Sequence, residues 1–279
     1  MKDKIITYLL KSPIVRSKTV ISIGRKLRSL SKTKYVEIEG RKMFCHGNDG
    51  LALSIFKIYE PVETEIVKKY VKKGDVVIDI GAHIGYYTLL FSELVGEHGK
   101  VYSFEPDPEN FELLKKNVDI NKCSNVKLIQ KAVTEKKSKI KLYLSDEDRA
   151  TNRIYDAQLN DTSNSIEIDA TSIDEEFRDM NMKIDFVKID VEGSEEGVFQ
   201  GMESTIENNK NIKILSEFFP HLIKKYGGSA ENYLKFLLKH NFKIYKISKE
   251  KESPLTDIDG YIQKLEMKNE STNILCVKD

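Results

Sequence analysis

The chain has 279 residues, 40% of them hydrophobic and 32% charged, with a formal net charge of +1; this fits a globular protein with room for one large α/β domain or two small ones. So balanced a charge carries no global signature of nucleic-acid binding, and three scattered cysteines (Cys45, Cys123 and Cys276) without a C-x-x-C pair argue against a disulfide framework or a zinc site. No apolar run approaches the roughly 20 residues that span a bilayer, and residues 5–10 are too short for a signal-peptide core, so a cytoplasmic protein is expected.

Residues 1–33 are predicted as a basic helical appendage, in which Lys2, Lys4, Lys11, Arg16, Lys18, Arg25, Lys26, Arg28 and Lys32 are opposed by Asp3 alone. Such a face is either simply solvated or makes weak contact with an anionic membrane surface. One domain is expected over 34–279, opening with a strand hairpin at 34–47 that turns near Glu39-Gly40, with its core over 62–279. Residues 76–80 form a β-branched run, the mark of a strand buried on both faces. A helix follows over 85–95, then a strand over 101–105. Asp107 caps the next helix, with Pro108 at its first position and Phe111, Leu114 and Val118 on one face. A third strand covers 126–130.

Residues 139–144 and 165–170 alternate apolar and polar, as strands of an insertion or an edge hairpin would. The polar stretch 145–164 between them reads as a long loop, either a lid or a disordered segment. Strand 184–189, helix 194–206, strand 212–216, helix 230–240 and strand 242–247 follow, then a last strand over 272–277 reached through the polar segment 248–271. Repeated strand–helix units with short buried strands predict an α/β Rossmann-like fold, a doubly wound and mostly parallel sheet. An antiparallel C-terminal strand fits the last connection.

In such sheets a ligand sits beyond the carboxyl ends of the strands, where strand order switches. That puts the turn Asp79-Ile80-Gly81-Ala82-His83-Ile84-Gly85 at the mouth of a site. Gly81 and Gly85 permit a tight turn and close approach to a ligand. A dinucleotide fingerprint needs G-x-G-x-x-G, but His83 and Tyr86 occupy the second and third glycine positions, and no Gly-Lys-Ser/Thr follows. With phosphate cradles missing, Asp79 suits the ammonium and sulfonium of S-adenosylmethionine (SAM) better than a pyrophosphate. Glu105, twenty residues after Gly85, is either a ribose-hydroxyl acceptor or a solvated strand-end carboxylate. These features favour SAM and disfavour the alternative of a NAD-dependent oxidoreductase.

Four strings carry a further signal: Tyr59-Glu60-Pro61-Val62-Glu63-Thr64; Asp79 through Gly85 continuing to Tyr86-Tyr87-Thr88; Phe104-Glu105-Pro106-Asp107-Pro108-Glu109-Asn110; and Lys188-Ile189-Asp190-Val191-Glu192-Gly193-Ser194-Glu195. In this order and spacing the chain resembles the FkbM-type SAM-dependent methyltransferases from about residue 35 to 277. It departs from them at His83, where the family commonly has Asn. The resemblance implies SAM as cofactor and methylation of oxygen, typically a hydroxyl of a sugar, glycan or polyketide-like natural product. On it, the cofactor is expected at Glu60, Asp79, Gly81, Ala82, His83, Gly85, Tyr86, Thr88, Glu105, Pro106, Asn110, Ala132 and Asp190.

Transfer to an alcohol requires alignment of the acceptor and removal of a proton. The candidate catalytic groups are Asp190 and Glu192 after one strand, and Glu217 and His221 after the next. Each has a plainer reading: Asp190 holds its loop or the methionine end of the cofactor, and Glu192 stabilises a helix start. His83 is a possible base, though a turn histidine more commonly bonds backbone or cofactor. Asp190 and Glu217 could cradle a divalent cation, but no third ligand is evident and no metal site is expected. The expected partner is a small-molecule or glycan acceptor rather than nucleic acid. A non-catalytic scaffold of the same fold is the remaining alternative.

Overall fold

A computed structural model of the protein describes residues 35–46, 53–145, 152–154, 165–180, 182–248 and 251–278. The basic segment 1–33 and most of the polar 145–164 stretch lie outside them. Strands β1 (Val36–Ile38) and β2 (Arg41–Met43) pair antiparallel. Their two-residue turn places Glu39 and Gly40 at φ 47° and 84°, the left-handed pair that matches strand twist in a tight hairpin. Helices α1 (Leu53–Phe56) and α2 (Pro61–Tyr70) lead to β3 (Val76–Ile80). Then come α3 (Tyr86–Val95), β4 (Lys100–Phe104), α4 (Pro108–Ile120) and β5 (Val126–Ile129).

The alternating segments pair as predicted, β7 (Ser138–Tyr143) antiparallel to β8 (Ser165–Thr171). With the two-residue β6 (Ala132–Val133) they form a separate three-stranded sheet over a small core of Ala132, Leu142, Ile168 and Ala170. After α5 (Ile173–Glu176) come β9 (Phe186–Ile189), α6 (Glu195–Gln200), α7 (Glu203–Asn208) and β10 (Lys213–Phe218). The chain continues through α8 (Pro220–Lys225), α9 (Ala230–Lys239), β11 (Phe242–Ile247), β12 (Glu252–Pro254), α10 (Ile258–Lys268) and β13 (Thr272–Lys278).

The main sheet has the order β12-β11-β13-β10-β9-β3-β4-β5. From β5 to β10 its neighbours are parallel, and β13 runs antiparallel to both β10 and β11. Strand order reverses between β3 and β9, so the cleft beyond their carboxyl ends is the place for a ligand. Side chains alternate between two apolar layers. Ile78, Ile80, Val187 and Ile189 face one core with Phe199 and Tyr233; Val77, Val101 and Phe186 face the other with Phe91 and Leu90. No helix among the described residues is long and apolar enough to cross a membrane.

Three expectations are corrected here. The helix predicted over 194–206 is two helices. The backbone leaves helical geometry at Met202, φ −129°, and a Cβ on the preceding Gly201 would lie 2.1 Å from the Thr134 carbonyl oxygen, so only glycine fits there beside the three-stranded sheet. The strand predicted to stop at 216 runs on to Phe218, which puts Glu217 within it rather than after it. The polar segment 248–271 is not a bare connection, for it holds β12 and α10. Two asparagines also fasten the hairpin to α4. Asn121 accepts from the Lys42 N–H and donates to its carbonyl, and Asn117 does the same with Phe44 while also donating to the Ile84 carbonyl.

Candidate functional site

A cavity opens at the carboxyl ends of β3, β4 and β9. Its wall includes Tyr59, Asp79, Gly81, Ala82, His83, Tyr86, Tyr87, Glu105, Pro106, Asn110, Ala132, Lys188, Asp190 and Glu192. Asn152 and Ile154, from the otherwise undescribed loop, close one side, and Asn152 donates to the Asp107 carboxylate. Most residues predicted to hold a cofactor therefore meet at one cavity. Gly85 and Thr88 are not part of its lining, and Glu60 lines an adjoining groove of about 1000 Å³ together with Glu217.

Asp79 is 1% exposed; its Oδ2 accepts from the Thr88 hydroxyl at 2.6 Å and its Oδ1 has no hydrogen-bond partner. Thr88 thus stands beneath Asp79, bonded also to Ser103, instead of facing the cavity. Burial pushes the Asp79 carboxyl up to about 6, against the opposing pull of Lys188. An ionised oxygen without a donor in this setting is costly, and so suits a cationic ligand. Glu105, 5% exposed, accepts from the His83 N–H with one oxygen and from the Asp107 N–H and the Asn110 side chain with the other. Burial raises it to about 7. The oxygen that accepts from the His83 N–H is a carboxylate oxygen and has room for a second donor from a ligand. His83 itself takes φ 50° to make this bond, and its ring centroid lies 5.8 Å from that of His46.

The glycines have a different reason for being there than close ligand approach. A Cβ on Gly81 would sit 1.8 Å from the Asp190 carbonyl oxygen, and one on Gly85 would sit 2.6 Å from Leu114 Cδ1. Their φ values of 79° and 93° are also in the left-handed region. They let the cofactor loop pack on the chain itself.

Lys188 was not singled out by sequence. It is 4% exposed, lies opposite Asp79 in the β3–β9 register, and places its ammonium 2.9 Å from Asp190 Oδ2 and 4.6 Å from the centre of the Tyr87 ring. Although burial opposes the charge, the surrounding Asp190, Glu60 and Asp79 raise its pKa overall. A lysine within an apolar strand was the available signal. Glu60 has φ 43°; it accepts from the Tyr87 hydroxyl at 2.8 Å and from Asn273, and burial raises it to about 7.

Asp190, Glu192 and Glu217 each offer a carboxylate oxygen within 4.8 Å of the others. Glu192, at φ 55°, also faces Arg153 at 3.7 Å. His221 does not join them: it is exposed on the first turn of α8, and its ring packs near Phe219.

The sequence model of the Methyltransferase FkbM domain family matches residues 79–244. That of protein-L-isoaspartate(D-aspartate) O-methyltransferase matches residues 3–132. The chain is 36% identical over 58 residues to a protein-L-isoaspartate O-methyltransferase of Methanothrix thermoacetophila, 21% of this chain and 28% of that one. It spans about a third of the length of the curated relatives it matches. Among solved structures, the methyltransferase FkbM of Methylobacillus flagellatus KT has a TM-score of 0.45 at 16% identity, covering 72% of this chain and 43% of that one. A precorrin-6y C5,15-methyltransferase of Geobacter metallireducens GS-15 has 0.43 at 13%, covering 77% and 87%.

Proposed function

The chain belongs to the FkbM methyltransferase domain family, and from that premise we propose that it binds SAM in the cavity beyond β3, β4 and β9 and methylates an acceptor hydroxyl. The observation that carries this reading is Asp79 Oδ1, a buried carboxylate oxygen without a partner on the cavity wall. A cofactor with an ammonium and a sulfonium supplies what that oxygen lacks. The missing phosphate glycines speak against a pyrophosphate cofactor in the same cavity.

When bound, SAM supplies a methyl group already activated by its sulfonium. The chain's own residues do the rest. Asp79 anchors positive charge, Glu105 accepts from a ribose hydroxyl, and the Tyr59, Tyr86 and Tyr87 rings, mutually edge-on, keep water from the transfer path. Lys188 fixes the Asp190 carboxylate. Asp190, Glu192 and Glu217 form the acceptor side, where a carboxylate takes the proton from the hydroxyl. The groove beside Glu60 and Glu217 is the acceptor's entry, wide enough for a sugar or glycan unit. Residues 34–279 are read as the catalytic domain.

Isothermal calorimetry with SAM and S-adenosylhomocysteine tests this. Micromolar binding is expected for the chain, weakened at least tenfold in Asp79→Ala, the scale of a lost charge-assisted bond of about 1.5–3 kcal/mol. Tight NADH binding with no SAM signal would sink the reading.

A further inference from the structure

We propose that Asp190, Glu192 and Glu217 form a binding site for one divalent cation of the magnesium, manganese or calcium class. Their carboxylate oxygens lie within 4.8 Å of one another, a spacing that lets an ion about 2.0–2.6 Å from each oxygen bind all three with modest side-chain adjustment. All-oxygen ligands select hard cations over zinc or copper. Two elements deliver them: the loop leaving β9 carries Asp190 and, two residues on and in a left-handed backbone, Glu192, while Glu217 belongs to β10.

The second observation is the state of Glu217. Its Oε2 is sealed from solvent and accepts no hydrogen bond. A carboxylate oxygen in that position demands a donor or a metal. Beneath the loop Glu195 is 1% exposed, spends its Oε1 on the Val191 and Gly193 N–H groups, and has an Oε2 in the same condition. Asp190, Glu195, Glu192 and Glu60 crowd their charges around Glu217. Against these five carboxylates the described residues set Lys188, which occupies Asp190 Oδ2, and Arg153, 3.7 Å from Glu192. Asp190 Oδ1 and the Glu217 carboxylate are left for a cation.

The cluster sits where the two cavities meet, since Asp190 and Glu192 line the first and Glu217 the second. A cation there would polarise an acceptor hydroxyl arriving from the groove and ease the proton loss assigned above to these carboxylates. That purpose rests on the methyl-transfer reading, but the ion site itself does not.

Titration of the full chain with Mn²⁺, followed by the electron paramagnetic resonance of the free ion, tests the site. One ion per chain is expected, with affinity reduced at least tenfold in both Glu192→Gln and Glu217→Gln. Thermal melts without metal establish that each variant is folded; Glu192→Gln, on the surface loop, keeps the test valid should Glu217→Gln misfold. Glu203, Glu207 and His240 form a second cluster of this kind, so the double variant Glu203→Gln/Glu207→Gln is the control and should bind Mn²⁺ as the parent does. No binding at millimolar Mn²⁺, unchanged affinity in folded Glu192→Gln, or loss in the control would overturn the proposal. Calorimetry with SAM in the presence of a chelator separates the two readings. Mn²⁺ uptake without SAM binding defeats methyl transfer alone, and SAM binding without Mn²⁺ uptake defeats the ion site alone.

Discussion

Lys188 shows how a single side chain organises the site. Its ammonium is buried, and taking such a charge out of water costs several kcal/mol unless it is well paired. Here Asp190, Glu60 and Asp79 surround it, so each side compensates the other. Lys188→Met would leave these carboxylates without their shared cation, and a loss of about 3–5 kcal/mol in stability is expected from urea unfolding. A change below 1 kcal/mol would show that the pairing is not structural. The sequence placed this residue in a matched string but gave it no role. In a strand, alternation tells which side a residue faces, not what stands opposite, and that is decided by the pairing of Asp79 with Lys188 across strands more than a hundred residues apart. Asp79, Glu105 and Asp190 were legible because strand ends in this fold class carry their own rule. Glu192 as a third oxygen beside Asp190 and Glu217 was not, because its approach depends on a left-handed backbone that no residue type other than glycine announces.

At the scale of elements, the β1–β2 hairpin is held to α4 by side chains acting as a strand edge. Asn117 and Asn121, one helical turn apart, each satisfy the N–H and the C=O of one hairpin residue. Asn117 reaches further, to the Ile84 carbonyl inside the cofactor turn. Asn117→Ala would strand three backbone groups in a buried place, and a loss of about 2–3 kcal/mol is expected from denaturant unfolding. Weaker cofactor binding should accompany it, because the turn loses an anchor. Asn121→Ala is expected to match the stability loss only in part and leave cofactor affinity unchanged; equal loss of affinity in both would refute the special role of Asn117. None of this was readable beforehand. The hairpin and α4 were each found from local pattern, but their contact spans more than seventy residues. The break between α6 and α7 was missed because a lone glycine is tolerated within a helix and nothing in the sequence marks Met202, where the backbone leaves helical geometry.

For the whole molecule, buried acid sets the pH response. Burial holds Asp79 near 6 and Glu105 near 7 in the folded chain, whereas unfolded carboxyls titrate near 4. The folded form keeps protons that the unfolded form gives up. The stabilisation is therefore full below about pH 4 and lost as pH rises through 6 and 7, on the order of 3 kcal/mol for each group. The ligand-free chain should melt several degrees higher at pH 5.5 than at pH 8, read by calorimetry; a melting temperature that keeps rising above pH 8 would contradict it. The parallel half of the sheet was legible throughout, because buried β-branched runs and short connections repeat along it. The 248–271 segment was not, since its charges outweigh its pattern. Yet Ile258, Tyr261, Ile262 and Leu265 have the spacing of one helical face, and Asp257 caps the helix by accepting from the Gly260 N–H. The sheet's connectivity also dictates an order of events during synthesis. On the ribosome β10 and β11 are both made before β13, which must then enter between them. Until it emerges, two strand edges stand open on the nascent chain. Closure of the sheet thus waits for a late segment, and chaperone protection matters most in that interval.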